Sequence, residues 1–424
     1  MLRIAAAALA AGAAALMLTA PAGASQGAQF GIQDDAWLMF GPGTVAQRLT
    51  TLDRLGVGLV RFTVRWDAVA PKQPAAPRNP ADPAYQWGQY GVVLQELHAQ
   101  GIPVLVTLYG SPKWANGGGA ANRLPLRGFG DFAFAAAKRF PWVRRWTIWN
   151  EPNSRTFAVP VSPPLYVERV LAPGYASLHA ANRANVVAGG VTSPRKTPSG
   201  MAPLAFMAGM HAAHARLDAY AQNPYPVSRD ETPLRSTCAQ CTYLTMAKLP
   251  EIRRDVTRYF GARTPVWLTE YGYQTNPPDR LLGVSPAKQA LYIGEAGYQV
   301  WRTPGVTMLI QFLVRDEPRI GGWQSGLFTA EGSAKPAYFA FGLPLAQVAR
   351  RGARAQLWGQ VRPGSGPRRY VLQRRSGSRW IAVGGTRSTD VHGTFDITVT
   401  LPPGTLVRLS APAAVSVSPA LRLS

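Results

Sequence analysis

From Gln29 to about Gln347 short, β-branched apolar runs alternate with longer stretches whose apolar positions recur at helical spacing. Residues 29–33, 57–63, 102–108, 145–149, 186–190, 217–221, 266–269 and 306–312 read as strands. Several of them are apolar throughout instead of alternating, as strands covered on both faces must be. Between them the spacing predicts helices over 45–55, 90–99, 129–140, 165–183, 203–215, 249–260 and 286–301, with a last one near 337–348. Eight such repeats predict an α/β fold, a (β/α)8 TIM barrel with enlarged loops. No Gly-rich phosphate loop follows the first strand, which speaks against an open, doubly wound sheet.

Past Arg350 the rhythm changes. Short strands at 353–361, 369–374, 380–383, 395–400 and 406–409, parted by Gly, Pro and Ser, predict a small all-β sandwich. The chain is therefore expected to divide into 25–349 as the barrel, 350–411 as an accessory β-sandwich and 412–424 as a low-complexity tail. Residues 1–24 carry Arg3 as a positive n-region, an apolar stretch at 4–18 and the small-residue site Ala22-Gly23-Ala24. That pattern predicts a signal peptide and a secreted or extracytoplasmic chain. No later segment reaches the roughly 18 uninterrupted apolar residues of a membrane span.

With 46% hydrophobic and 16% charged residues over 424 positions, the composition excludes a disordered chain. Lys and Arg number 45 against 22 Asp and Glu, and the excess is uneven. From Arg350 onward twelve arginines face only Asp390 and Asp396. Two readings of this basic segment stand: a stabilising domain packed on the barrel, or a surface for an acidic glycan or envelope polymer. Nucleic acid is not the expected partner, because the arginines alternate with hydrophobic residues on predicted strands. Cys238 and Cys241, in STCAQCTY, are expected to form a short-loop disulfide. A redox pair would need a βαβ context and zinc a second CxxC, while His211 and His214 sit in an Ala/Met-rich helix suited to packing. No metal or cofactor is called for.

In a parallel barrel, functional side chains stand at the C-terminal ends of the strands. Those ends offer Arg61, Arg65, the segment 109–114, Asn150, Glu151, Asn223, Tyr225, Glu270, Gln311, Arg315 and Asp316. Glu151 closes WTIWNEPN and Glu270 closes VWLTEYGY, each after an apolar run where a carboxylate is costly without a purpose. They lie 119 residues apart, three repeats, which puts them on strands four and seven and opposite each other across the mouth. Two opposed carboxylates suit cleavage of a glycosidic bond. The alternative is that each pairs structurally with a nearby arginine.

Over about residues 29–348 the sequence resembles the clan A glycoside hydrolases, and family 39 among them. NEP at strand four and TEYG at strand seven carry the resemblance, with LVRFTVRW, LYGSPKWA, QNPYP and FLVRDE in support. It implies Glu151 as general acid/base and Glu270 as nucleophile of a retaining hydrolase. Asn150 would bond the sugar 2-OH, Tyr225 would donate to Glu270 and keep it ionised, and Arg61 would add positive charge beside it. Glu151 must hold its proton, so it should be the more desolvated and should feel the charge of Glu270. Two positions depart from the pattern: Asn223 stands where many relatives have His, and Gln311 where a sugar-stacking Trp is common. Either one could change the sugar accepted at the cleavage subsite.

Among the aromatics, Trp66, Trp114 and Trp323 lie on loops at the same end and could stack on sugar, Trp114 foremost because SPKWAN follows strand three. The expected substrate is an extracellular poly- or oligosaccharide. A barrel that binds polysaccharide without cutting it, and a transglycosylase using the same two glutamates, are the alternatives.

Overall fold

A computed structural model describes residues 27–424; the expected signal peptide at 1–24 lies outside the described residues. Eight parallel strands form a closed barrel. In chain order they are β1 (Gln29–Gln33), β2 (Leu59–Arg65), β3 (Val104–Tyr109), β4 (Arg145–Ile148), β5 (Val186–Thr192), β6 (Ala219–Gln222), β7 (Val266–Tyr271) and β8 (Val306–Phe312). Each pairs with the next, and β8 returns to β1 with Gly31 opposite Ile310. Leu59, Leu105, Trp267, Met308 and Ile310 fill the inside, while intervening residues such as Leu309 face the helices. This is the alternation that a strand buried on both faces hides in its composition.

Side-chain caps open four of the described helices. Val45–Arg54 opens with a reciprocal cap, Gln47 N to Thr44 Oγ1 at 3.2 Å and Thr44 N to Gln47 Oε1 at 2.9 Å, and buries Val45, Leu49 and Leu52. The stretch expected as one helix over 165–183 comes as Pro163–Tyr166, a π turn at Val167–Leu171, and Ala172–Ala181. Pro173 has no N–H for the regular ladder. The Tyr166 hydroxyl, from the first of these pieces, donates to Ile148 O at 2.9 Å and ties the helix to the end of β4.

The expected helix over 337–348 stops at Gly342, where the Gly-Leu-Pro sequence breaks it. Leu345–Arg351 is instead a strand, β9, paired with β10 (Arg354–Gln360). The β unit thus begins at Leu345 and not at 350. Its remaining strands are β11 (Arg369–Ser376), β12 (Arg379–Ala382), β13 (Arg387–Ser388), β14 (Thr394–Thr400), β15 (Leu406–Ser410) and β16 (Leu421–Arg422). One sheet runs β14-β10-β9 and the other β12-β11-β15-β16, with β13 also on β11. The expected tail is part of this unit: Val415 and Leu423 are buried in its core, and Leu421 pairs with Val407.

The unit docks tightly on the barrel. A Cβ added at Gly294, in the helix Pro286–Trp301, would meet Leu345 O at 2.5 Å, and one at Gly297 would meet the Trp358 ring at 2.8 Å. Arg362, buried without a carboxylate, lies over Phe30 at 4.0 Å and Phe341 at 4.6 Å. Burial pushes its guanidinium down to about 9. Gly56, just before β2, abuts the Arg362 backbone, so the unit reaches the N-terminal end of the barrel, away from the mouth.

Candidate active site

Past β4 the chain turns sharply. Trp149 has φ 71° and Glu151 φ 39°, both in the left-handed region that side chains seldom occupy. Neighbouring groups hold the turn: Trp149 N donates to Leu108 O at 2.8 Å, its indole Nε1 to Phe157 O at 2.8 Å, and Glu151 N to Val191 O at 2.9 Å. Asn153 clamps the other side, accepting from Ser193 N at 2.9 Å and donating to Ser193 Oγ at 3.0 Å and Met201 O at 3.1 Å. The strained backbone delivers Asn150 and Glu151 into the cleft.

Opposite, Glu270 stands within β7 and is gripped from two sides. Arg61, fully buried on β2, donates Nη1 to Glu270 Oε1, and the Tyr225 hydroxyl donates to Oε2 at 3.2 Å. The guanidinium is fixed in turn by Thr107 Oγ1 at 2.9 Å, Gln33 Oε1 at 2.6 Å and Thr269 O at 3.1 Å. Its Nη2 donates to Asn150 Oδ1 at 3.1 Å, which leaves the Asn150 NH2 as the donor available at the cleft.

Glu151 has no such cation on its oxygens. Asn223 Nδ2 donates to Oε1 at 3.1 Å. Burial first, and the nearby Glu270 charge second, push Glu151 up to about 8 against the opposing pull of Asn223 and Arg61. Tyr225 is held well above its ordinary range, by burial and then by the two carboxylates, and so stays a donor. Two facing carboxyl groups thus occupy different environments. One is gripped by a guanidinium and a phenol, and the other is held protonated near neutrality by its burial.

The cleft around them has a volume of about 440 Å³, within the range of small-molecule sites. Of the residues singled out from sequence, Arg61, Asn150, Glu151, Asn223, Tyr225 and Glu270 come together here. Trp114 does not: Lys113–Asn116 is a short helix that turns its indole onto Trp66, edge to face at 5.4 Å, with Nε1 on Ala70 O at 2.9 Å. Trp66 is itself core. Gln311 points away as well, because its parity on β8 faces the helices, and its Nε2 donates to Ser325 O at 2.8 Å. Phe312, the next residue, lines the cleft instead. Trp323 is the member of the tryptophan trio that reaches the site, 39% exposed, 5.0 Å from Tyr225 and 5.7 Å from Phe312.

Arg315 and Asp316 serve the loop frame, Arg315 Nε on Ala330 O at 2.8 Å and Asp316 against Lys335 at 2.9 Å. Cys238 and Cys241 form a disulfide in the loop after β6. Sequence reasoning missed Gln33 and Asp35 at the end of β1. Asp35 accepts from Gln33 Nε2 at 3.1 Å and from Thr63 N at 3.0 Å while lining the cleft. The strand-end rule applied to β1 would have found both. Among the described residues no group of His, Cys, Asp and Glu is placed to hold a metal ion.

The family model described as Glycosyl hydrolase family 1 matches residues 44–207. No curated protein matches the sequence. Among solved structures, the family 39 enzyme from Xanthomonas axonopodis pv. citri is similar with a TM-score of 0.59 at 16% identity, over 92% of this chain and 95% of that one. A GH5_18 protein from Streptomyces cattleya, solved with GlcNAc, gives 0.54 at 17% identity over 74% and 78%. The hyperthermophilic beta-glucosidase from Pyrococcus furiosus gives 0.54 at 14% over 74% and 94%. At these identities the likeness is one of fold.

Proposed function

Taking as premise that this chain has the fold of the clan A glycoside hydrolases, we propose that it is a retaining O-glycoside hydrolase working by double displacement on an extracellular poly- or oligosaccharide. The observation that carries this reading is the asymmetry of the two carboxyls: Glu270 clamped by Arg61 and Tyr225, Glu151 buried against the neutral amide of Asn223, which leaves burial to push its pKa up to about 8. Glu270 attacks the anomeric carbon while Glu151 passes its proton to the departing oxygen, so the C–O bond breaks as the glycosyl ester forms. Glu151, now ionised, takes a proton from water as that water attacks the same carbon and returns Glu270 to a carboxylate. Two inversions leave the configuration unchanged. The Asn150 NH2 donates to the sugar hydroxyl beside the reacting carbon, a bond that strengthens as positive charge develops there.

A polysaccharide binder without hydrolysis would not need one carboxyl held protonated beside another clamped by a guanidinium and a phenol. Action outside the cytoplasm is supported by the Cys238–Cys241 disulfide, which oxidising surroundings favour. The test is to treat the enzyme with 2-deoxy-2-fluoro glycosides that carry an activated leaving group, then digest it and locate the label by mass spectrometry. An ester on Glu270 is expected; a label on any other residue, or on none while hydrolysis proceeds, would overturn the reading.

A further inference from the structure

The basic excess of the β unit is not absorbed by the fold. Its two carboxylates are both occupied by neutral donors: Asp390 accepts from His392 N, Thr394 N and Thr394 Oγ1, and Asp396 from Gln356 Nε2. Among the described residues no arginine from Arg350 onward forms an ion pair.

The β-sheet register collects part of this charge on one face. Leu372, Val407 and Leu409 point into the core, so Gln373, Arg375, Leu406 and Arg408 point out. Trp380 lies opposite Arg375, Arg408 opposite Gln373, and Arg422 opposite Leu406. The outer face therefore carries Arg375 and Arg422 in one row, two strands or about 10 Å apart, with Arg408 one row along. These guanidiniums are held in place. Trp380 lies under Arg408 at 4.3 Å and Arg375 at 5.6 Å. Arg408 Nε donates to Gln373 Oε1 at 2.8 Å, Arg375 Nε to Gly377 O at 2.7 Å, and Arg422 Nη1 to Gly404 O at 3.0 Å. The Nη ends of Arg375 and Arg408 stay open for a forked contact. A groove of about 670 Å³ runs along the edge, lined by Arg374, Arg375, Arg422, Thr400 and Thr405. Burial first, and the nearby Arg375 charge second, lower the Arg408 pKa.

We infer that this face and its groove form a binding site for an acidic polysaccharide, whose carboxylate or sulfate groups are received by the forks of Arg375 and Arg408, with Arg422 adding its charge beside them. Fixed, unpaired guanidiniums suit such anions, since little side-chain freedom is left to lose on binding. Bases would need an open aromatic face to stack on, and Trp380 is already covered by guanidinium. A membrane surface would be met by protruding apolar side chains, and the outer row offers the half-buried Leu406 and Trp380, the latter under two guanidiniums. The choice of a glycan among polyanions rests on the hydrolase reading above. The unit packs toward the end of the barrel opposite the mouth, so the site anchors the enzyme on polymer without feeding the cleft.

The test uses the full chain carrying Arg375→Gln, Arg408→Gln and Arg422→Gln, with the matching Lys triple as a second variant that keeps charge and loses the forks. Retention is measured on polygalacturonate, dextran sulfate, neutral dextran, duplex DNA and phosphatidylserine vesicles. Wild type should hold one or both acidic glycans and not dextran, weakening as salt rises. The Gln triple should bind about tenfold or more weakly, and the Lys triple in between. Turnover of small aryl glycosides should be unchanged in both. Equal retention of wild type and either variant, or tighter binding of DNA or vesicles than of both acidic glycans, overturns the inference. Because retention needs no turnover, it is also measured on Glu151→Gln. Retention there with no hydrolysis by wild type would sink the hydrolase reading alone.

Discussion

Asn223 holds Glu151 through one hydrogen bond, Nδ2 to Oε1 at 3.1 Å, and its own carbonyl is taken by the Thr269 hydroxyl at 2.8 Å. The Thr269 bond fixes which end of the amide faces the carboxyl. Glu151 therefore meets a neutral donor where Glu270 meets a guanidinium, and this difference separates the two roles.

The first consequence is in the pH profile. With Glu151 raised to about 8, kcat/KM should fall on the alkaline side with an apparent pKa near that value. Glu270→Gln removes the neighbouring charge and leaves the burial, so in that variant the Glu151 titration should move down yet stay above its ordinary 4.5. A carboxyl-detected NMR titration of the two proteins checks both statements.

Stability should carry the same signature. A carboxyl whose folded pKa is raised gives stability that is fully present below its unfolded value and is lost as pH climbs through the folded one. For Glu151 the window runs from about 4.5 to about 8. Glu151→Gln has no proton to lose, so its Tm advantage over wild type should grow between pH 5.5 and pH 8.5. A constant difference would show that Glu151 is not buried as described.

Arg61 and Glu270 form a buried pair, and breaking it from one side leaves a charge stranded. Arg61→Ala should cost about 3–5 kcal/mol of stability. The Arg61→Ala/Glu270→Ala double variant should lose less than the two singles together, by about 0.5–3 kcal/mol in a denaturation cycle.

The tryptophans should separate cleanly. Trp323→Ala should raise KM about five- to tenfold, the worth of one aromatic contact, with little change in Tm. Trp114→Ala should instead lower stability, by less than the about 3–5 kcal/mol of a fully buried aromatic because Trp114 is half-buried, and leave KM unchanged.

These contrasts also mark what the sequence made legible. The barrel could be read because its strands are continuous apolar runs, and Glu151 and Glu270 stood out because each ends such a run. Continuity hides parity, however, so the sequence points to Gln311 as a cleft residue where Phe312 is one. A strand-end position also says nothing of the turn that follows: the helix at Lys113–Asn116 folds Trp114 back onto the core. Leu345–Arg351 read as helix because its apolar residues suit either period, and only pairing with Arg354–Gln360 decides. Asn223 as the partner of Glu151 required three dimensions, since the two stand 72 positions apart.

The central claim is that Glu270 is the nucleophile and Glu151 the acid/base, and azide rescue tests it most directly. Glu270→Ala with azide should give a glycosyl azide of inverted configuration, formed in one displacement on the face Glu270 served. Glu151→Ala with azide should give one of retained configuration, formed from the glycosyl-enzyme. NMR of the two products reads the anomeric centres, and exchanged configurations between the variants would contradict the assignment even if both glutamates prove essential.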